Sequence, residues 1–167
     1  MSSRGLVEIA MNLIQDQIKS NIDQALLDVR TDRADNQVTT EAPKNYYNYS
    51  GVTSYRCPMV MIVPGETDFQ KDLGANHVNA LIHTTVAVVV EDKNLQALNI
   101  KAWRYQAALD KILDQAFMIS TDNKVKIVTV VKRARLSPEF TVAGDQYQGA
   151  FQKEVSLEVD VRHFENL

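Results

Sequence analysis

The sequence predicts an α+β fold: a mostly antiparallel sheet of about four strands with two main helices packed on one face, in the order α-β-β-α-β-β. Three observations carry that prediction. Apolar residues recur at three- and four-residue steps over two long segments, 6–29 and 95–117. Apolar and polar residues alternate strictly over 154–162. Between the helical segments lie two continuously apolar or β-branched runs of strand length. With 167 residues and 45% apolar content, a single domain over 1–167 is expected.

The first helix carries Leu6, Ile9, Leu13, Ile18, Ile22, Leu26 and Val29 on one face. Asn12, Gln15, Lys19 and Asp23 occupy the other face, and Ser2 and Ser3 are candidate N-caps. Residues 31–55 are polar, include Pro43 and Gly51, and read as a long loop or arm. The next strand is Cys-Pro-Met-Val-Met-Ile-Val at 57–63, closed by Pro64 and Gly65. An irregular insert is expected over 64–80. A β-branched strand follows over 81–91, and Asp92 is the expected N-cap of the second helix. Leu95, Leu98, Ala102, Tyr105, Leu109, Ile112 and Ala116 form that helix's stripe, widened by Leu113 and Phe117. Asp122 and Asn123 mark a turn before a third strand over 125–135. A second irregular insert covers 137–151. In the closing strand Val155, Leu157, Val159 and Val161 face inward, and Glu154, Ser156, Glu158, Asp160 and Arg162 face water.

Composition narrows the function classes. A net charge of −3 excludes a strongly basic nucleic-acid binder. One cysteine, Cys57, excludes an intrachain disulfide framework. No apolar run approaches the ~18 residues of a membrane span. Glu8, Asp16 and Lys19 interrupt any signal-type core near the N-terminus, so the chain is expected to be made in the cytoplasm.

The motifs of catalysis are missing. The sequence holds no His-Glu-x-x-His, Cys-x-x-Cys, Gly-x-Ser-x-Gly, phosphate-cradling loop or dinucleotide fingerprint. His77, His83 and His163 lie in separate segments. No catalytic, cofactor-binding or metal-binding residue is assigned, and the chain is not expected to be an enzyme. Cys57, beside Pro58 at the start of an apolar strand, reads as a buried thiol.

Two surface features stand out. Tyr46, Tyr47 and Tyr49 supply rigid apolar area with polar tips, suited to loop packing or an interface. Lys124, Lys126, Lys132, Arg133 and Arg135 crowd one strand without an intervening acid. In a regular strand Lys126 and Lys132 face opposite to Arg133 and Arg135, and a bulge near Val130 and Val131 could align them. A charge-protected edge, docking to an acidic neighbour subunit and contact with a DNA backbone all fit this run. Trp103 lies off the second helix's stripe, where it either widens the packed face or marks a subunit contact.

Together these segments resemble the tail terminator, or tail-completion, proteins of long-tailed bacteriophages, which include minor tail protein U-like and neck proteins. The resemblance spans residues 5–164. It rests on the leading amphipathic helix, the Pro-bounded strand at 57–66, the strand 83–90 running into a long helix, and the closing strand 155–161 followed by His163 and Phe164. It implies a structural virion protein. Its subunits would form a homo-oligomeric, hexameric ring that caps the tail tube and meets the head–neck connector. The implied partners are the tail tube protein and neck or connector proteins, with genomic DNA passing through the lumen unbound. The expected location is the virion tail or neck, and no cofactor is implied. Other neck or connector-stopper proteins share this pattern, and a nucleic-acid-binding α+β module is the alternative from a different class. The implied subunit or tube contacts are Tyr46, Tyr47, Tyr49, Glu66, Asp68, Phe69, Lys126, Lys132, Arg133, Arg135, Phe140 and Tyr147.

Overall fold

A computed structural model of the chain describes residues 3–48, 57–70, 77–141 and 149–166. The elements are α1 (Ser3–Arg33), β1 (Asn45–Tyr47), β2 (Met59–Gln70), β3 (His77–Asp92), α2 (Leu95–Leu113), β4 (Phe117–Ile119), β5 (Val125–Leu136) and β6 (Phe151–Asn166). The α+β class holds. The sheet has six strands in the order β1-β2-β3-β6-β5-β4, against the expected four or so. The pairs β2–β3, β3–β6, β5–β6 and β4–β5 are antiparallel, and β1 runs parallel to β2.

Both helices pack on one face, as their stripes require. Ile14, Ile18 and Ile22 of α1 and Leu98, Leu109 and Leu113 of α2 join Ile62, Val86, Val88, Leu157 and Val161 in one core. The helix ends differ from expectation. α1 continues to Arg33 and stops where Ala34 takes φ 51°, so the arm is shorter than 31–55. α2 ends at Leu113, capped by Asp114, and Gln115 turns the chain at φ 55°. Phe117 therefore sits in β4 and is exposed, instead of extending the helix stripe. Asn94, not Asp92, is the N-cap. Its side chain accepts from the N–H groups of Gln96 and Ala97, while Asp92 accepts from Asn94 N–H.

Pro64 and Gly65 do not close β2. Pro64 stays in register with Thr84, Gly65 and Glu66 form a bulge opposite His83 of β3, and the strand runs on to Gln70. A Cβ on Gly65 would lie 2.9 Å from the His83 carbonyl oxygen, so this close approach requires glycine. The insert expected at 64–80 is thus largely strand. The insert after β5 folds back at Phe140, which exchanges two backbone hydrogen bonds with Gln152 (2.9 and 2.7 Å). Lys153 secures it by donating to Asn99 of α2 and to Glu139 (2.7 and 2.9 Å).

The outer sheet face is only partly wet. At one end Met59, Met61, Ala87 and Val89 form a second apolar cluster with Tyr47, Cys57, Val63 and Phe140. Farther along, that face carries Asp68, His83, Asp160, Glu158, Arg133 and Arg135.

Candidate assembly surface

The charged part of the outer face is built by strand alternation and register. His83 pairs in register with Asp160, and β2 brings Asp68 to the other side of the imidazole. His83 Nδ1 lies 2.8 Å from Asp160 Oδ1, and Nε2 lies 3.5 Å from Asp68 Oδ2. On β5, Lys132 reaches Asp160 Oδ2 at 3.6 Å. Arg133 and Arg135 both approach Glu158, at 3.7 and 2.8 Å. Acid and base thus alternate across β2, β3, β6 and β5.

A bulge produces the basic end of this ladder. The β5–β6 register shifts between Val131 and Arg133, which leaves Lys132 as the extra residue. The shift brings Lys126, Arg133 and Arg135 to one face. The bulge lies next to the place read from the sequence, near Val130 and Val131.

The Asp160 carboxylate bonded to His83 raises its imidazole above the ordinary histidine range, against the opposing effect of desolvation and with further help from Asp68. Protonated His83 therefore stabilises the fold. That contribution is complete below the unfolded value of about 6.5 and is lost as pH rises through the raised folded value. His83→Gln should accordingly lower Tm at pH 5.5 and change it little at pH 9. Equal losses at both pH values would refute the charged pairing.

The remaining sequence-predicted contacts divide into three groups. Tyr46 and Tyr47 are half-buried and serve packing: Tyr46 rests on the main core beneath the Lys19 ammonium (4.9 Å to the ring centre), and Tyr47 on the second cluster. Phe140 also packs on that second cluster. These three residues are partly buried by packing within the chain. Glu66, Asp68, Phe69, Lys126, Lys132, Arg133 and Arg135 are exposed. Tyr49 and Tyr147 lie outside the described residues.

Sequence reasoning missed His83, Glu158 and Asp160 as members of the ladder. Their outward parity was visible in the alternation of their strands; the register that joins them was not. Cys57 is half-buried, and burial, with the Glu91 charge second, pushes its thiol up to about 12. It is therefore a thiol at neutral pH. Among the described residues no three His, Cys, Asp or Glu side chains are placed so that together they could hold a metal ion, and no helix is long and apolar enough to cross a membrane.

Both edges of the sheet are only partly covered. β1 pairs with β2 at Met59, Val60 and Met61 alone. β4 pairs with β5 at Lys126, Ile127 and Val128 alone. Two further bonds extend that cover: Thr129 N–H to the Ala116 carbonyl (3.0 Å) and Val131 N–H to Asp114 (3.2 Å). Among the described residues, no strand pairs with the outward side of β2 over 62–70 or of β5 over 132–136.

No protein-family model matches the chain, and no curated protein matches it. Among solved structures it is similar to a chain of the virion of a native gene transfer agent particle. The TM-score is 0.56 at 12% sequence identity, and the match covers 96% of this chain and 98% of that one. At this identity the likeness is one of fold, and it runs through nearly the whole of both chains.

Proposed function

We propose that the chain is a structural virion protein of a tailed bacteriophage or phage-like particle. In this reading it is a tail terminator subunit, whose hexameric ring caps the tail tube and joins it to the head–neck connector. The observation that carries the proposal is the near end-to-end likeness of fold to a chain of a gene transfer agent virion. The element pattern that resembles tail terminators supports the finer assignment, and the partly bare sheet edges suit contacts between subunits. The protein then acts by shape and assembly, without catalysis or cofactor. Its basic strand faces protein and not passing DNA. Lys132, Arg133 and Arg135 already pair with Asp160 and Glu158, which weakens their pull on phosphates.

Light scattering with negative-stain imaging of the purified protein, alone and mixed with tail tubes, tests this. Hexameric rings, formed in solution or on tube ends, are the expected result. A ring that ignores tube ends and binds the capsid connector would make the protein a stopper or connector. A compact dimer that neither forms rings nor binds tubes would overturn the reading altogether.

A further inference from the structure

The two edge runs that no described strand covers carry opposite charge. The run over 62–70 on β2 presents Glu66 and Asp68, both exposed, and Phe69 at 41% exposure. The run over 132–136 on β5 presents Lys132, Arg133 and Arg135, with Leu136 at 39% exposure. Each edge repels a copy of itself and attracts the other. A like-edge, two-fold dimer is therefore disfavoured. Head-to-tail pairing is favoured, and that class of contact builds a ring when the rotation between copies closes.

The topology permits such pairing. From β2 to β3, β6 and β5 every step is antiparallel, so β5 runs opposite to β2. A copy related by rotation about an axis roughly along the strands would present its β2 antiparallel to this β5, and outward N–H and C=O groups of both strands would find partners. The charge ladder supports the same join. It reads acid, base, acid, base from Asp68 through His83 and Asp160 to Lys132. The next copy's Asp68 would continue the alternation. The centres of the two bare runs are offset: Glu66 lies near the level of Asp160, and Ala134 pairs with Leu157. Pairing them slides each copy along its strands by about 10 Å. Tilted strands accommodate such a stagger on closure.

We propose that copies of this chain join edge to edge, with residues 132–136 of one β5 pairing antiparallel with residues 62–70 of the next copy's β2. This rests on the homo-oligomer proposed above and names its contact. The flanking strands β1 and β4 limit the pairing to these runs, and the bulges and charges on both edges discourage indiscriminate pairing with other chains.

Reciprocal charge reversal tests the contact. One variant carries Arg133→Glu and Arg135→Glu; the other carries Glu66→Lys and Asp68→Lys. Each alone should associate at least tenfold more weakly than wild type while keeping its circular dichroism spectrum. Mixed in equal amounts, they should recover rings of alternating subunits, because acidic β5 then meets basic β2 and basic β5 meets acidic β2. Wild-type-like rings from both separate variants would overturn the contact and leave the ring itself standing. Should a reversal impair folding, a chain with Asp68→Cys and Lys132→Cys, which oppose each other when the two runs pair, decides instead. Under oxidation it should yield a ladder of linked copies, and monomer alone would overturn the pairing. Failure of the functional reading looks different: wild type forms no ring even on tail tubes, whereas the cross-linked ladder reports the edge contact on its own.

Discussion

Replacing Asp35 with alanine is expected to destabilise the protein by about 3 kcal/mol, more than replacing its partner Arg104 with methionine. The asymmetry comes from burial. The Arg104 side chain is 4% exposed and the Asp35 side chain 32%. Arg104 Nη2 lies 2.5 Å from Asp35 Oδ2, and Nη1 donates to the Val38 carbonyl. Losing Asp35 strands a guanidinium that water reaches poorly. Losing Arg104 leaves a carboxylate and a carbonyl closer to solvent, a cost of about 1.5 kcal/mol. The neighbouring Tyr105 hydroxyl donates to the Glu41 carbonyl, so two consecutive residues of α2 hold the arm that leads to β1. Urea denaturation of both variants gives the comparison. The reverse order, with Arg104→Met the more damaging, would mean that Asp35 is the more deeply desolvated partner.

This arm shows what the sequence could and could not reveal. The helices were legible because a stripe of Ile and Leu at helical spacing leaves no other low-cost arrangement for residues 6–29. β6 was legible because its valines and Leu157 alternate with charges. β1 and β4 were not, since three residues such as Asn45–Tyr47 are too few for a period to register. The end of α2 was hidden because Gln115 adopts a left-handed turn that glycine normally announces. Pro64 signalled a strand end, yet a proline is tolerated where the edge is bare and bulged, so β2 ran on past it. The candidate surface was half legible. The sequence pointed to the basic run and to Glu66 and Asp68. Their placement on opposite edges follows from the β1-β2-β3-β6-β5-β4 order, which rests on long-range pairing that no local pattern encodes. The intrachain packing of the tyrosines was not legible, because an aromatic ring serves a core as readily as an interface; Tyr46 and Tyr47 have apolar partners within the chain.

The register of β6 governs both faces of the sheet and can be tested with two adjacent residues. Leu157 is fully buried, with Val86 and Ala134 beside it on the neighbouring strands. Leu157→Ala should cost about 3–4 kcal/mol, since the core between two helices and a sheet cannot collapse fully around the deletion. Glu158, one position on, faces outward and forms ion pairs with Arg133 and Arg135. Glu158→Ala should cost less than about 1 kcal/mol, because exposed ion pairs contribute little. It should also leave rings intact, because the freed arginines remain available to the acidic edge of the next copy. The contrast is demanding: a slip of one residue would exchange the two faces and reverse the order of the two costs. Denaturant midpoints for the two variants therefore report on the register that builds the charge ladder. If both substitutions proved equally mild, β6 would not be the buried central strand on which both edges depend.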